Sequence, residues 1–234
     1  MNQLQKLIAL VIFFLCIIQS QSVFCQKNSY GLEVISDTSI YLETIRSNPD
    51  NRLVDLIKAC HGIQLDIKYA GEDNFLKESI YTSAVAYARL PVAKDLSIIQ
   101  AELEKQGLGL KIFDAYRPYA VTLQFYERIK DSTFVASPYT GSRHNRGCAV
   151  DLTLVDLKTG KELNMPTKFD DFSPKASPAY SALPAEAKNN RDLLISIMEK
   201  HGFKVYPSEW WHFDHKGWQS FELMDISFEQ LKAL

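Results

Sequence analysis

Five histidines occur in the sequence, at His61, His144, His201, His212 and His215, and two of them keep company that can do chemistry. Around His144 the chain reads Gly141-Ser-Arg-His-Asn-Arg-Gly-Cys-Ala-Val-Asp151, a turn bearing an imidazole that runs into a strand bearing a carboxylate. Around His212 it reads Ser208-Glu-Trp-Trp-His-Phe-Asp214. Together His144, Asp151 and His212 make a three-ligand set whose N and O donors suit Zn²⁺ and leave a fourth position for water. Glu209, three residues before His212, is then placed to be a base beside the metal, not a ligand. A metal lowers the pKa of its water from 15.7 to roughly 7, and a neighbouring carboxylate can take the proton as that water attacks a carbonyl. The chemistry suggested is metal-assisted hydrolysis. Each element also has a plainer reading: a loop histidine capping a turn, and Trp-Trp-His packed in a core with one satisfied imidazole.

The elements that must hold these residues are short. Arg52–Ala59 is a brief helical or extended apolar stretch, and the alternation in Ile63-Gln-Leu-Asp-Ile-Lys-Tyr69 predicts a half-buried strand. Pro91 opens a helix through Leu96, Ile99 and Leu103 that Gly107 stops. Leu108–Phe113 reads as a strand ended by the turn Asp114-Ala-Tyr-Arg-Pro-Tyr, with Pro118 as the first residue of a helix over 119–130. Gly147–Leu154 is a second core strand, and 156–188 is a long surface excursion rich in Pro, Lys, Ser and Asp. Asn190–His201 predicts a helix with Leu193, Leu194, Ile197 and Met198 on one face and Gly202 as its stop. Phe203–Val205 and Trp211–Asp214 complete the strands. These are too short and irregularly spaced for a doubly wound nucleotide-binding sheet. A single α+β domain with a small, mainly antiparallel central sheet flanked by helices is expected instead.

Composition is that of a globular protein: 234 residues, 46% hydrophobic and 23% charged, which excludes disordered and fibrous classes. Net charge is −2, so nothing supplies the excess cation that a nucleic-acid partner demands. The uneven feature is the head. Residues 7–18 carry no polar side chain, follow Lys6 and precede Gln-Ser-Gln-Ser. That run is short for a bilayer span and reads as a signal peptide over 1–25, cut after Ser20, Ser22 or Cys25. A retained membrane anchor is the alternative. Residues 26–50 are a variable lead-in and 51–234 the working domain. Export permits a disulfide between Cys60 and Cys148, though a core of this size does not need one.

The string Ser142-x-His144-x-x-Gly147-x-Ala149-x-Asp151, followed by Glu209-x-x-His212, resembles the paired signature of the zinc D-Ala-D-Ala peptidases, peptidase family M15. Asp114-Ala-Tyr-Arg117-Pro, Asp151-Leu-Thr-Leu, Asp66-Ile-Lys-Tyr69-Ala with Asp73-Asn-Phe, and Ser196-Ile-Met-Glu resemble its D-alanyl-D-alanine dipeptidase branch. The resemblance covers about residues 60 to 215 and implies the fold shared by these peptidases and hedgehog-like domains. It implies one zinc per chain on His144, Asp151 and His212, with Glu209 as general base and later proton donor to the leaving amine. Arg117 would stabilise the oxyanion, a task suited to a permanently charged fork of donors; its plain reading is an ion pair in a tight turn. Asp170, with Asp171 beside it as a rival, would meet the substrate's free amino terminus. Ser142 would bind its carboxylate and Tyr69 lie near its carbonyl, although a turn serine and a core aromatic explain those two equally well. Position 148 departs from the pattern, carrying Cys where a small residue such as Ser is common, and a buried filler is expected there. His201 reads as a helix C-terminal cation.

The implied activity is hydrolysis of D-Ala-D-Ala to two D-alanines by an exported enzyme, periplasmic or secreted, with no stable membrane insertion after cleavage. The alternatives are a zinc D,D-carboxypeptidase acting on peptidoglycan stem peptides and a non-catalytic zinc-containing binding domain.

Overall fold

The computed structural model describes residues 27–132 and 135–234. The apolar head, with Cys16, Cys25 and the expected cleavage sites, lies outside them. In chain order the elements are β1 (Val34–Ile35), α1 (Thr38–Ser47), β2 (Leu53–Asp55), α2 (Leu56–Ala59), β3 (Gln64–Leu65), β4 (Tyr87–Arg89), α3 (Leu90–Glu104) and β5 (Leu108–Asp114). Then follow α4 (Tyr119–Ile129), β6 (Ala149–Asp156), α5 (Ala185–Lys200), β7 (Phe203–Tyr206), β8 (Glu209–His215), β9 (Leu223–Met224) and α6 (Phe228–Lys232).

The central sheet has five strands in the order β3-β5-β6-β8-β7, with only the β3–β5 pair parallel. Its middle strand β6 is buried along nearly its whole length, which is why Ala149–Val155 lacks a polar-out alternation. Helix α3 places Val92, Ala93, Leu96, Ile99 and Leu103 in the core, the three-and-four spacing of one helical face. The buried Gln100 side chain accepts a hydrogen bond from the Leu110 N–H, tying the helix to β5. Helix α5 packs Leu194, Ile197 and Met198 inward beside β7.

Two expectations change, and the lead-in gains a place in the fold. The alternating segment 63–69 pairs only at Gln64–Leu65, after which a 3₁₀ turn at Lys68–Ala70 carries Tyr69 inward. Lys68 holds that turn from outside, paired with Asp66 at 2.7 Å and Asp73 at 2.9 Å. Pro118 caps α4 with extended backbone and does not open it as a helical residue. The lead-in is built into the fold: β1 pairs parallel with β9, Asp37 caps α1, and the α1 residue Tyr41 accepts the Leu53 N–H at 2.6 Å.

What positions the chemistry is a row across three adjacent strands. Asp114 on β5 faces Asp151 on β6, and Asp151 faces His212 on β8. His144 reaches the row from the 3₁₀ turn His144–Arg146, which Gly147 closes in the left-handed region at φ +68°. A Cβ at Gly147 would lie 2.5 Å from Leu53 Cδ2 and 3.4 Å from the Arg89 backbone nitrogen. Gly147→Ala therefore combines backbone strain with overpacking, and a loss of about 2 kcal/mol or more is expected, read as a lowered Tm.

Candidate active site

The ligand atoms converge. His144 Nε2 lies 3.2 Å from His212 Nδ1 and 3.4 Å from Asp151 Oδ2, and His212 Nδ1 lies 3.0 Å from Asp151 Oδ1. Tautomers follow from the outer partners. His144 Nδ1 sits 2.7 Å from the Ala115 carbonyl, which can only accept, so Nε2 carries the lone pair. His212 Nε2 sits 3.0 Å from Asp214 Oδ1, so the proton is there and Nδ1 faces inward as an acceptor. Asp151 Oδ1 is buried and has no well-formed hydrogen bond. Three acceptors thus point at one another with no donor between them, an arrangement only a cation reconciles. For bonds of about 2.0–2.1 Å a tetrahedral ion separates its ligands by about 3.3 Å, which the three distances straddle. The donor set fits Zn²⁺.

Without a metal, a proton takes the cation's place. Burial opposes a charged His212, but hydrogen bonds to Asp151 and Asp214 outweigh it and raise its pKa well above the ordinary imidazole value. Burial also opposes a charged Asp151, yet the two histidines hold its carboxyl well below the usual range.

Glu209 reaches the site through an irregular strand. On a regular strand residues three apart point to opposite faces. Here Tyr206 faces Glu209 while Val205 faces Phe213, so Trp210–His212 bulge out of the β7 pairing. The bulge brings Glu209 Oε2 to 3.7 Å from His212 Nδ1. Burial, reinforced by Asp151, raises the Glu209 pKa, against the pull of His212, His144 and Arg117.

Arg117 is buried at 7% exposure and bonds Asp114 Oδ2 through Nε at 3.0 Å and Nη2 at 2.7 Å. Its guanidinium lies 4.8 Å from the Phe125 ring centroid and 5.2 Å from that of Tyr69, and it lines the cavity. Arg117 is therefore at once the ion-pair partner of Asp114 and a lining residue of the cavity. The cavity, of about 250 Å³, is lined by all eight residues singled out in the sequence: Tyr69, Arg117, Ser142, His144, Asp151, Asp170, Glu209 and His212.

Asp170 and Asp171 separate cleanly. Asp171 accepts the Ser173 N–H in a turn, whereas Asp170 lines the cavity and accepts from Tyr69 Oη at 3.2 Å and the Phe75 N–H at 3.3 Å. Its backbone is left-handed at φ +58°, uncommon for a non-glycine residue. Burial and then the charge of Asp151 push the Asp170 pKa well up. Tyr69 is thus bound to this acid. Ser142 Oγ accepts the His144 N–H at 3.2 Å while lining the cavity.

Outside the site, Cys148 is a buried filler, as expected. Its Sγ contacts the Arg146 carbonyl at 3.5 Å, and burial pushes its thiol pKa to about 12. It and Cys60 are free thiols. His201 caps α5 and meets Glu102 Oε2 at 2.9 Å, and His215 meets Asp95 Oδ2 at 3.0 Å. Sequence reasoning gave no role to Asp114, which anchors Arg117, or to Asp214, which sets the His212 tautomer. The signal for Asp214 was present, since residues two apart on a strand share a face.

Two outcomes follow for the metal-free protein. Zn²⁺ must displace a proton from His212, so binding is expected to release about one proton near pH 7 and to weaken as pH falls, measured by titration calorimetry in buffers of different ionisation enthalpy. Asp214→Asn is expected to weaken Zn²⁺ affinity roughly 10–100-fold.

Comparison with known proteins identifies the family of the chain. The chain is 36% identical over 180 residues to a D-alanyl-D-alanine dipeptidase of Escherichia coli (strain K12), covering 75% of this chain and 91% of that protein. It is 31% identical over 173 residues to the protein of that name in Enterococcus faecium, covering 65% and 86%. Among solved structures, the LD-carboxypeptidase LdcB gives a TM-score of 0.39 at 21% identity over 57% of this chain and 61% of that one. The D,D-pentapeptidase VanY in complex with Zn(II) gives 0.37 at 16% identity over 59% and 78%. The M15 peptidase family model, described as D-ala-D-ala dipeptidase, matches residues 49–229, and the chain belongs to that family.

Proposed function

We propose that the protein is a zinc-dependent dipeptidase that hydrolyses D-Ala-D-Ala to two D-alanines. The observation that carries the reading is the coincidence, in one cavity of about 250 Å³, of a Zn²⁺-fitting ligand set with Glu209, Arg117 and Asp170. Family membership and the names of the relatives support it.

His144, Asp151 and His212 would hold zinc, which supplies Lewis acidity toward water and the scissile carbonyl. Glu209, its pKa raised by burial, takes the proton from the attacking water and returns it to the leaving amine. Arg117 offers a fixed positive fork to the oxyanion as the carbonyl carbon becomes tetrahedral, and Asp114 and two aromatic rings keep that fork in place. Asp170 meets the substrate ammonium. An incoming cation stabilises the ionised carboxylate that burial disfavours, so a free amino terminus is favoured over an acylated one. Ser142 meets the substrate carboxylate, and Tyr69 aims Asp170.

We also propose an exported enzyme, on the strength of Lys6 and the apolar run 7–18. Among the described residues no helix is long and apolar enough to cross a membrane. An exported dipeptidase is ill placed to deplete cytoplasmic D-Ala-D-Ala.

Chelation is expected to abolish D-Ala-D-Ala hydrolysis and added Zn²⁺ to restore it. Glu209→Gln is expected to lower kcat roughly 10²–10⁴-fold with zinc content retained. Asp170→Asn is expected to narrow the preference for free D-Ala-D-Ala over an N-acylated tripeptide; wild-type protein that favours the acylated peptide would make it a carboxypeptidase. N-terminal sequencing of protein recovered from the envelope or medium is expected to start between residues 21 and 26.

A further inference from the structure

The matched family region begins at residue 49, yet Tyr30, ahead of it, packs on Tyr139, whose neighbours in the chain line the cavity. Ser137, Thr140, Gly141 and Ser142 line the cavity from the inside. Three contacts grip this wall from outside. Tyr30 meets Tyr139 edge to face, with ring centroids 5.3 Å apart. Tyr119, 3% exposed at the start of α4, donates its hydroxyl to the Pro138 carbonyl at 2.5 Å. Asn28 holds Tyr30, since its Oδ1 accepts the Tyr30 and Leu32 N–H groups at 2.9 and 3.0 Å. Further along, β1 pairs with β9, whose Leu223 side chain lies so close behind Gly141 that a Cβ there would come within 2.7 Å of it.

We propose that residues 27–35 are a positioning strap for the substrate pocket: through Tyr30–Tyr139, with Asn28 holding Tyr30, and through the pairing of β1 with β9 behind Gly141, they hold the wall 135–142, and so Ser142, at the distance a dipeptide requires. The kinetic side of this rests on the dipeptidase reading; the mechanical side does not. Tyr30 touches neither the metal ligands nor the cavity, so its removal leaves the chemical groups intact. An edge-to-face aromatic pair contributes about 1 kcal/mol, and a wall loosened by that amount loses roughly fivefold in affinity.

The test compares full-length wild type with Tyr30→Ala, Tyr30→Phe and Asn28→Ala. Tyr30→Ala and Asn28→Ala are expected to raise KM for D-Ala-D-Ala roughly fivefold with kcat and zinc content nearly unchanged, and Tyr30→Phe, which keeps the ring, is expected to restore KM. Limited proteolysis read by mass spectrometry is expected to cut the wall 135–142 faster in the Ala variants. An unchanged KM overturns the proposal whatever happens to Tm. If wild-type protein does not hydrolyse the dipeptide, the function reading fails instead, and equal cleavage rates in the wall would then overturn the strap by themselves.

Discussion

Two carboxylates buried side by side are the constraint from which the rest of this molecule follows. Asp114 and Asp151 are register partners on adjacent central strands, at 0% and 3% exposure. Like charges directly opposite in a sheet are destabilising, and a buried charge is costly unless it is paired and hydrogen-bonded. Asp114 takes Arg117 for its counter-charge, together with hydrogen bonds from the Tyr81 hydroxyl at 2.8 Å and the Ala115 N–H at 2.9 Å. Asp151 takes the two histidines, with which it would hold a cation. The fold therefore buries charges in the middle of its sheet, and the arginine and histidines that neutralise them line the candidate site.

The same constraint explains how the surroundings are built. Arg117 can be buried because aromatic rings cover its faces while Asp114 satisfies its edge. His144 and His212 can present lone pairs inward because Ala115 and Asp214 take their outer protons. Such outer partners fix orientation and tautomer, and they matter to metal affinity nearly as much as the ligands themselves. Asp170, left-handed in its backbone and hydrogen-bonded by Tyr69 and Phe75, lines the same cavity, and in the proposed function it would supply the negative end that a free amino terminus answers. In the proposed function a small zwitterion would be matched by local charges, which agrees with a molecule of near-neutral net charge.

The candidate site was largely legible in the chain because its residues fall in two short strings. His144 to Asp151 spans a turn and the strand it feeds, and Glu209 to His212 lies within one strand, so residue type and spacing were enough to nominate them. Asp170 was nominated by resemblance alone, and only the backbone distinguishes it from Asp171: one carboxylate turns into the cavity and the other closes a turn. Segment 63–69 misled because period-two alternation says what a face buries, not where pairing stops; Lys68 finding two aspartates ends that strand early. The place of residues 27–50 in the fold was not legible because their contacts are with residues far along the chain, Leu223 and Tyr139 among them.

By itself the sequence determined the donor types, the pairs close in chain order, the α+β character and the apolar head, because all of these depend on local pattern and on chemistry carried by single side chains. Only the tertiary structure decided that Asp114, Asp151 and His212 form one row, that a bulge swings Glu209 onto the His212 side, and that Asp214 selects the His212 tautomer. The reason is physical. Register between strands and the placement of a bulge are set by packing between segments distant in sequence, and an angstrom of such placement separates a metal site with a base beside it from three unrelated polar residues.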